Sequence, residues 1–275
     1  MRRFWIPSDR IQEATPILDG EEAFHLIRVL RARSGQTILL MDGRGTVAEA
    51  RVQSILRDRV ALTVLHRTHV PETRPFRIVV AQALLKDVYM EDLIRRWVEL
   101  GADECFPFVS ERSVPILEGD RCQKRKQRWE ALAKEAMKQS GNPYLPTLHE
   151  PIDIYQMLDA LRHCPVKLLF WENESRMLSR EIFSVPDRME GRIDIGVVFG
   201  PEGGISESEV ATCQQHGFQT VSLGSRILRA VTAGIVGLGL VGFLAEEALA
   251  PANLPPSAGS NQDGNPAGDP LHQER

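Results

Sequence analysis

The residues of this chain that could carry out chemistry are few, and they lie close together between Ile195 and Gly242. Glu202 is the one obvious candidate for a proton acceptor in a stretch that otherwise holds little acid chemistry. Arg226 and Arg229 supply fixed positive charge. Cations held in fixed positions stabilise negative charge that develops on a reactant. What these three side chains can do depends on the elements that position them.

The first of those elements is a strand that ends in a glycine-rich loop. Residues 195–199 form a short apolar run, which is typical of a buried parallel strand. Gly200-Pro-Glu-Gly-Gly204, hereafter the GPEGG loop, cannot continue as strand or helix because of its proline and glycines. Ser206 and Glu209 then have the spacing of a capping box, which predicts a helix immediately after the loop.

A second strand and loop repeat this arrangement. Residues 220–223 predict a strand, Gly224-Ser225-Arg226 (the GSR loop) follows it, and a helix-like segment begins near Ile227. Because loops at the carboxyl ends of parallel strands expose backbone groups on a rigid support, we expect a ligand to bind between the two loops. The alternative is that both loops are plain turns, which would be the better interpretation of a single Gly-Gly pair.

Together the two loops resemble those of a known family. GPEGG-I-S-x-x-E at 200–209 and LGSRILR-x-x-TA at 223–233 are similar to motifs of the ribosomal small-subunit RNA (uracil-N3)-methyltransferases, which belong to the SPOUT or trefoil-knot superfamily. The resemblance covers about residues 1–245, with further matches at His25, Val29 to Arg31, Gly35, Asp42-Gly43, Met90-Glu91, Glu99 to Gly101, Ser110 to Arg112 and Gln139 to Gly141. It implies an enzyme that transfers a methyl group from S-adenosylmethionine to N3 of a uridine in 16S ribosomal RNA.

The resemblance also implies roles for individual residues. Arg229, Arg226 and Glu202 are the catalytic candidates, because the N3 proton of uracil must leave and the charge spreading to O2 and O4 must be stabilised. The cofactor is expected on Phe170, Phe199, Gly200, Pro201, Glu202, Gly203, Leu223, Gly224, Ser225, Ile227, Leu228, Arg229 and Thr232. RNA contacts are expected from Arg2, Arg3, Arg28, Arg31, Lys86 and Arg112.

Two of these residues lead to specific structural expectations. Arg229 is expected to be enclosed between the GSR loop and the apolar helix, where a cation is costly to bury unless its charge is needed. The alternative is a structural role, in which Arg229 pairs with Glu202 or with a carbonyl at a helix end. A side chain at Gly203 is expected to obstruct the cofactor pocket, because glycine permits close approach of the ligand to the backbone.

The expected fold class is α/β, with a carboxyl-terminal parallel-sheet trefoil-knot (SPOUT) domain preceded by a small PUA-like β-barrel. β-rich runs separated by turn signals predict the barrel in residues 1–72, which also carry a helix pattern over 21–33. Prolines at 71 and 75 mark the boundary, so that residues 73–249 form the methyltransferase domain. Residues 250–275 are rich in Pro, Gly, Asn and Ser and are expected to be disordered.

Hydrophobic patterns predict the other elements of the larger domain. Apolar runs at 76–85, 105–109 and 167–171 are typical of buried parallel strands. Helical spacing predicts helices over 87–100 and 123–138. The second of these helices has a basic face, for which a role at the RNA backbone and an ordinary solvated surface are equally supported.

Composition limits the remaining possibilities. The chain of 275 residues carries a net charge of -4, so any contact with RNA must be local and not a bulk attraction. Its four cysteines lack the spacing of a zinc site or of a disulfide framework, so we expect no metal. Free thiols indicate a reducing compartment, and we expect a soluble cytoplasmic protein.

The apolar segment 230–249 has three possible interpretations. A membrane span is disfavoured because four glycines interrupt the uncharged run 230–245, and Glu246 and Glu247 follow it directly. Gly237, Gly239 and Gly242 match a dinucleotide fingerprint, but the chain beyond Gly242 has only a few helical residues and then the tail, where this motif needs a helix and a second strand. We therefore expect a buried helix. By resemblance, it also forms a homodimer interface, together with the helix over 87–100.

Two positions depart from the family pattern. Val231 stands where the family usually has a glutamate, and Asn142 stands where it usually has an arginine. Both changes favour an RNA-binding or assembly protein that has kept the fold and lost methyl transfer, whereas the intact loops favour the enzyme. A soluble α/β enzyme that uses a different nucleotide-like ligand is the third interpretation.

Overall fold

The computed structural model describes residues 1–113, 119–183 and 191–249. The tail expected at 250–275 lies outside the described residues. Two sheets account for the strands of the described part, one before residue 70 and one after residue 75. The domain boundary that the sequence predicts lies between them, and the segment that joins them contains the two prolines.

The amino-terminal domain is built on a mixed sheet of five strands. Its strands are β1 (Arg3–Trp5), β2 (Ile17–Leu18), β3 (Thr37–Met41), β4 (Thr46–Ile55) and β5 (Val60–His69), in the spatial order β1-β3-β4-β5-β2. Neighbours are antiparallel except β1 and β3, which run parallel. Alternate side chains of β3, β4 and β5 point to one face and form an apolar core with Phe4, Ile11 and Leu26.

The helix predicted over 21–33 is shorter and less regular than expected. α1 (Gly20–Phe24) continues as a π-helical turn (His25–Val29), after which the helix ends. Arg31 has a φ of 50°, a left-handed conformation that is uncommon for a residue with a side chain. The amide of Gly35 donates to the carbonyl of Val52 at 2.8 Å, so this glycine begins the approach to the sheet and does not close the helix.

The larger domain contains a parallel sheet of seven strands. These are β6 (Phe76–Ala83), β7 (Glu104–Val109), β8 (Thr147–Leu148), β9 (Ile152–Asp153), β10 (Val166–Phe170), β11 (Ile193–Phe199) and β12 (Gln219–Val221). The spatial order is β12-β10-β11-β6-β7-β8, and β9 also pairs with β7. The helices are α2 (Asp87–Glu99), α3 (Asp120–Ser140), α4 (Ile154–Ala160), α5 (Glu207–Gln215) and α6 (Ala230–Leu249). The α/β class predicted from the sequence is confirmed.

Helices cover both faces of this sheet. Ile78 and Val80 of β6 pack with side chains of α2, α3 and α6 on one face, while Val79 and Ala81 pack with α4 and α5 on the other. Because side chains alternate along a strand, a strand that is covered on both faces must be apolar throughout. This is why the strands of the larger sheet appear in the sequence as uninterrupted apolar runs.

The last helix returns from the edge of the sheet to its middle. After the edge strand β12, α6 packs on β6 and β11 and against α2. Leu238, Val241 and Ala245 are buried in the core of that face. The glycines that match a dinucleotide fingerprint therefore lie inside a helix and not in a loop, which confirms that the match is spurious.

The opposite side of α6 corrects one expectation. Val236, Leu240 and Phe243 are exposed, and the exposed fraction of Phe243 is 62%. The prediction of a buried helix is thus right for one face of α6 and wrong for the other. The helix is long and apolar enough to cross a membrane, but its inner face belongs to the core of the sheet domain.

Basic residues of α3 join the two domains. Lys138 Nζ lies 2.6 Å from a carboxylate oxygen of Glu22. Lys134 Nζ lies 3.6 Å from the centre of the Trp5 ring, a cation–π contact. Arg3 donates from Nη1 to the carbonyl of Lys138 at 3.1 Å, and so caps the carboxyl end of the helix. Residues of β1 and α1 of the first domain therefore dock on α3.

The same helix also pairs with α2. Arg125 Nη2 lies 2.6 Å from Asp87, and Arg128 Nε lies 2.5 Å from Glu91. The basic face of α3 is thus engaged by acidic and aromatic side chains of the protein itself. Lys134 and Lys138 therefore have a packing role, whereas Lys124 and Arg128 remain exposed, as an ordinary solvated surface would be.

Two glycines of α6 are expected to respond in opposite ways to replacement by alanine. A Cβ at Gly237 would lie 2.6 Å from the Phe199 ring, whereas a Cβ at Gly242 would meet Ile78 at an ordinary 3.8 Å. We expect Gly237→Ala to lower the free energy of unfolding by about 1–3 kcal/mol through overpacking. We expect Gly242→Ala to raise it by up to about 1 kcal/mol, because glycine is a poor helix former. Urea denaturation checks both values, and equal destabilisation of the two variants would contradict the packing described here.

Candidate functional site

A cavity of about 910 Å³ opens at the carboxyl ends of β10, β11 and β12, against the amino-terminal end of α6. It is lined by residues 170–172, 199–204, 221–224 and 226–233, together with Lys86, Tyr89 and Asp92. Both glycine loops contribute to the lining. The sequence predicted a ligand between these two loops, and the structure places a cavity there, at the edge of the sheet where parallel α/β domains bind ligands.

The floor of the cavity is aromatic. Phe170 at the end of β10 and Phe199 at the end of β11 stack with their ring centres 4.7 Å apart and their planes 12° apart. Both rings are almost fully buried. Gly237 allows α6 to lie directly against them. A flat apolar floor of this kind suits a heteroaromatic ring such as adenine.

A buried glutamine fixes the start of the GPEGG loop. Gln82, at the end of β6, donates from Nε2 to the carbonyl of Gly200 at 2.8 Å and to that of Ala83 at 3.0 Å. Its Oε1 is buried and has no hydrogen-bond partner in the described part of the protein. Sequence analysis missed this residue. A single polar residue inside an apolar strand run was the available signal, since a buried amide needs partners.

The two glycines at the end of the GPEGG loop have different surroundings. Gly204 has a φ of 73°, and a Cβ there would lie 2.1 Å from Oε1 of Glu172, which lines the cavity. A Cβ at Gly203 would meet Arg112 Cβ at 3.3 Å. Gly204 is therefore the position that requires glycine. The expectation that a side chain at Gly203 would obstruct the pocket is corrected, because that side chain would press on Arg112.

The loop after β10 forms one wall of the cavity. Glu174 accepts hydrogen bonds from the Thr220 hydroxyl and from the amides of Arg176 and Ser175, and these bonds lower the pKa of its carboxyl group. The amide of Ser222 donates to the carbonyl of Arg176 at 2.8 Å. The wall is therefore hydrogen-bonded to the edge strand β12 and to the residues just before the GSR loop.

The two candidate catalytic arginines lie at the mouth of the cavity. Arg229 precedes α6, and its carbonyl accepts the Ala233 amide at 2.8 Å. The side chains of Arg229 and Arg226 are exposed to solvent, so the expectation that Arg229 is enclosed is wrong. No ion pair joins Arg229 to Glu202 among the residues that the structure describes. A cation at a helix amino terminus disfavours the helix, so helix stability does not explain Arg229.

Glu202 has a structural partner of its own. One of its carboxylate oxygens accepts the backbone amide of Lys86 at 3.2 Å, so the GPEGG loop is tied to the start of α2. Glu202 is exposed at the cavity, as is Lys86. Both residues were predicted for this site from the sequence, and the structure brings them together.

The remaining predicted residues are distributed as follows. Every predicted cofactor-binding residue lines the cavity except Ser225, which is exposed outside it. Arg2, Arg28 and Arg31 are exposed on the amino-terminal domain, whereas Arg3 caps α3. Arg112 is exposed beside the GPEGG loop. The structure therefore gathers the cofactor candidates in one place and separates the RNA candidates into two groups.

The two departures from the family pattern have different surroundings. Val231 lines the cavity and packs against the core below it. Asn142 Nδ2 donates to the carbonyl of Val98 at 3.0 Å, and its Oδ1 accepts the Tyr144 amide at 3.1 Å. Asn142 therefore has a local structural role at the end of α2. Only Val231 changes the chemistry of the cavity itself.

The cavity has the properties that a nucleoside-containing cofactor requires. It combines an aromatic floor with two glycine loops that line its sides. Cavities that bind small molecules are mostly apolar, with a few polar groups that fix the orientation of the ligand. S-adenosylmethionine combines an adenosine group, which suits an apolar floor, with charged groups, which suit a side that is open to water.

Comparisons with known proteins agree with this site. Residues 72–242 match the model of an RNA methyltransferase domain, and residues 18–65 match that of an RNA methyltransferase PUA domain. The chain is 30% identical over 250 residues to ribosomal RNA small subunit methyltransferase E of Bacillus subtilis, covering 90% of this chain and 98% of that protein. It is 32% identical over 235 residues to the protein of that name from Mycobacterium bovis, covering 84% and 87%.

Solved structures extend the comparison. A ribosomal RNA small subunit methyltransferase E from Neisseria gonorrhoeae, bound to S-adenosylmethionine, matches with a TM-score of 0.74 at 29% identity, covering 89% of this chain and 98% of that one. The matched RNA methyltransferase domain includes the whole cavity lining. The chain belongs to the RNA methyltransferase family that includes ribosomal RNA small subunit methyltransferase E.

Proposed function

We propose that this protein transfers the methyl group of S-adenosylmethionine to N3 of a uridine in the 16S RNA of the small ribosomal subunit. The observation that carries the proposal is the cavity between the GPEGG and GSR loops, with its stacked aromatic floor and two arginines at its mouth. Relatives whose names describe a small-subunit RNA methyltransferase support it. So does the match to a structure that contains this cofactor.

Methyl transfer to N3 exchanges an N–H bond of uracil for an N–C bond. The cofactor supplies an electrophilic methyl group, whose bond to sulfur breaks as the bond to N3 forms. The N3 proton must leave to an acceptor or to water, and the negative charge of the deprotonated base spreads to O2 and O4. We assign the stabilisation of that charge to Arg229, with Arg226 as the second candidate. Positioning the base in line with the methyl group supplies much of the rate.

The cofactor-binding role falls mainly on backbone atoms. The backbone of Gly200 to Gly203, Leu223 and Gly224 lines the cavity, and Phe170 and Phe199 form its floor. Ile227, Leu228 and Thr232 close the side next to α6. Backbone groups can read the edge of an adenine ring without charged side chains. We exclude Ser225 from this set because it lies outside the cavity lining.

RNA binding is assigned to two groups of cations. Arg2, Arg28 and Arg31 are exposed on the amino-terminal domain, and Lys86 and Arg112 lie near the cavity. Arginine and lysine side chains pair with phosphates and set the position of the RNA without reading its sequence. We leave Arg3 out of this set because its guanidinium is bonded to α3. A protein that modifies ribosomal subunits works in the cytoplasm, which we propose as its location.

One measurement separates this proposal from its rivals. Val231 favours a protein that has kept the fold and lost methyl transfer, whereas the complete cavity favours the enzyme. Calorimetry with S-adenosylmethionine, followed by a methylation assay on small subunits, distinguishes them. Binding with methylation supports the enzyme, and binding without methylation supports the assembly protein. If the cofactor does not bind, the cavity holds a different nucleotide-like ligand and the proposal is wrong.

We also propose that the protein is a homodimer through α6. Val236, Leu240 and Phe243 form an exposed apolar stripe along this helix, and Ile227 and Val88 are exposed near the cavity at its amino-terminal end. Apolar side chains at this spacing lie on one helix face. Contiguous exposed apolar surface marks an interaction site, and most oligomers of a single chain are symmetric dimers.

A charge in this stripe is expected to prevent dimerisation. We predict that Phe243→Asp sediments as a monomer at micromolar concentration, because the carboxylate would have to be buried in the interface without a partner. Leu56→Asp is the matched control, since Leu56 is exposed to a similar extent, 58%, in the amino-terminal domain. Sedimentation velocity checks both. A dimer of Phe243→Asp as stable as the wild type would place the interface elsewhere.

A further inference from the structure

We propose that Glu209 is a positioning residue that ties the loop after β7 to the GPEGG loop and thereby holds Arg112 beside the mouth of the cavity. The sequence identified Glu209 only as part of a capping box. The inference deepens the proposed function and rests on it, because Arg112 is one of the cations that we assign to the RNA near the cavity.

The two carboxylate oxygens of Glu209 have different tasks. Oε2 accepts the Ser206 amide at 3.1 Å, which completes the capping box of α5. Oε1 accepts the Glu111 amide at 2.8 Å, and Glu111 lies in the loop after β7, far away in the sequence. Glu209 is 8% exposed, so both bonds are shielded from water. Hydrogen bonds to an ionised carboxylate are stronger than those between neutral groups.

Arg112 follows Glu111 directly and packs on the GPEGG loop. Its Nη1 donates to the carbonyl of Gly203 at 3.2 Å. A Cβ at Gly203 would lie 3.3 Å from Arg112 Cβ, so the stem of the arginine also rests on this loop. The Ser208 hydroxyl, in the first turn of α5, lies 3.5 Å from Glu111 Oε2 and adds a longer contact between the loop after β7 and this helix. The loop after β7 and the GPEGG loop are therefore held together as one unit.

Helix capping alone does not account for Glu209. Two bonds cap the amino terminus of α5: Ser206 Oγ accepts the Glu209 amide, and Glu209 Oε2 accepts the Ser206 amide. The bond from Oε1 leaves the helix and fixes the backbone one residue before Arg112. Because a guanidinium is useful to an RNA phosphate only when it is held in place, an anchored backbone lowers the entropy cost of that contact. Glu209 thus acts on RNA through Arg112 and not by touching it.

Glu209→Gln, Ser206→Ala and Arg112→Ala test this role. Glutamine keeps the shape of glutamate but places an NH₂ group opposite one of the two amides. Ser206→Ala weakens the cap of α5 and leaves the Oε1 bond intact. Hydrogen exchange at the Glu111 amide should be about tenfold faster or more in Glu209→Gln, the scale of losing one charged hydrogen bond. It should be unchanged in Ser206→Ala.

Kinetics on small subunits supplies the second readout. Glu209→Gln and Arg112→Ala should each raise KM for the subunit about tenfold, while the Kd for S-adenosylmethionine stays within about twofold. The double variant should be no worse than Arg112→Ala, because the two residues act through one contact. Faster exchange in Ser206→Ala to the same degree, or multiplied effects in the double variant, would overturn the proposal. Hydrogen exchange decides the positioning role even if the wild type methylates no RNA, so the two proposals fail separately.

Discussion

Arg229→Ala protein is expected to methylate small subunits about a hundredfold more slowly than the wild type in a single turnover, the scale of removing one donor that stabilises a developing anion. Arg229 lies at the mouth of the cavity, exposed, and it precedes the positive end of α6. A side chain in this position adds to the positive potential where O2 and O4 of the uracil gain charge. The Kd for S-adenosylmethionine should change little, because the floor and the loop backbones remain.

Arg31→Ala is the matched control for Arg229→Ala. Both residues are exposed arginines, but Arg31 belongs to the amino-terminal domain. Loss of a phosphate contact should raise KM for RNA and flatten its dependence on salt, with the single-turnover rate at saturation kept. If folded Arg229→Ala protein reacts at the wild-type single-turnover rate, Arg229 has no catalytic role.

Gly204→Val is expected to weaken S-adenosylmethionine binding by about 30-fold or more. Its φ of 73° is strained for any residue with a side chain and most of all for a β-branched one. Strain of this kind costs about 2 kcal/mol, and the new Cβ would also displace the carboxylate of Glu172 from the cavity wall. The GPEGG loop should therefore lose the conformation that presents its amides and carbonyls.

The control for this variant is Gly203→Ala. Its Cβ would meet only the stem of Arg112, at 3.3 Å. We expect a Kd for S-adenosylmethionine within about threefold of the wild type, well below the effect of strain at Gly204. Calorimetry on both variants, after thermal unfolding has shown that they are folded, gives the comparison. Equal losses of affinity at the two glycines would contradict the backbone geometry described for the loop.

The sequence could predict the strands and both loops because their signals are local. Residues 195–199 are apolar at every position since both faces of β11 are covered, and the GPEGG loop has to turn. The capping box of Ser206 and Glu209 was likewise a local pattern, and the structure confirms it. Their position at one edge of the sheet followed from the direction of parallel strands.

Contacts between distant parts of the chain could not be predicted in this way. Nothing near Arg3 indicates that it caps α3, since its partner, the Lys138 carbonyl, lies more than a hundred residues away. The bond from the Glu111 amide to Glu209 likewise joins parts of the chain that are distant in the sequence. The exposure of Arg229 also depends on how distant segments pack. The open side of α6 carries Val236, Leu240 and Phe243 and is as apolar as the buried side. An amphipathic pattern needs charged residues on the outer face, so the sequence of α6 did not distinguish its exposed side from its buried side.

Methylation of N3 of a uridine in small-subunit RNA is the activity that we propose for this protein. Its most direct test is to incubate purified protein with small ribosomal subunits that lack the modification, using S-adenosylmethionine labelled in its methyl group, and to analyse the nucleosides by mass spectrometry. We expect labelled 3-methyluridine in 16S RNA, approaching one per subunit, and about a hundredfold less in the same time with Arg229→Ala. Label in another nucleoside, or no label although the cofactor binds, would contradict it.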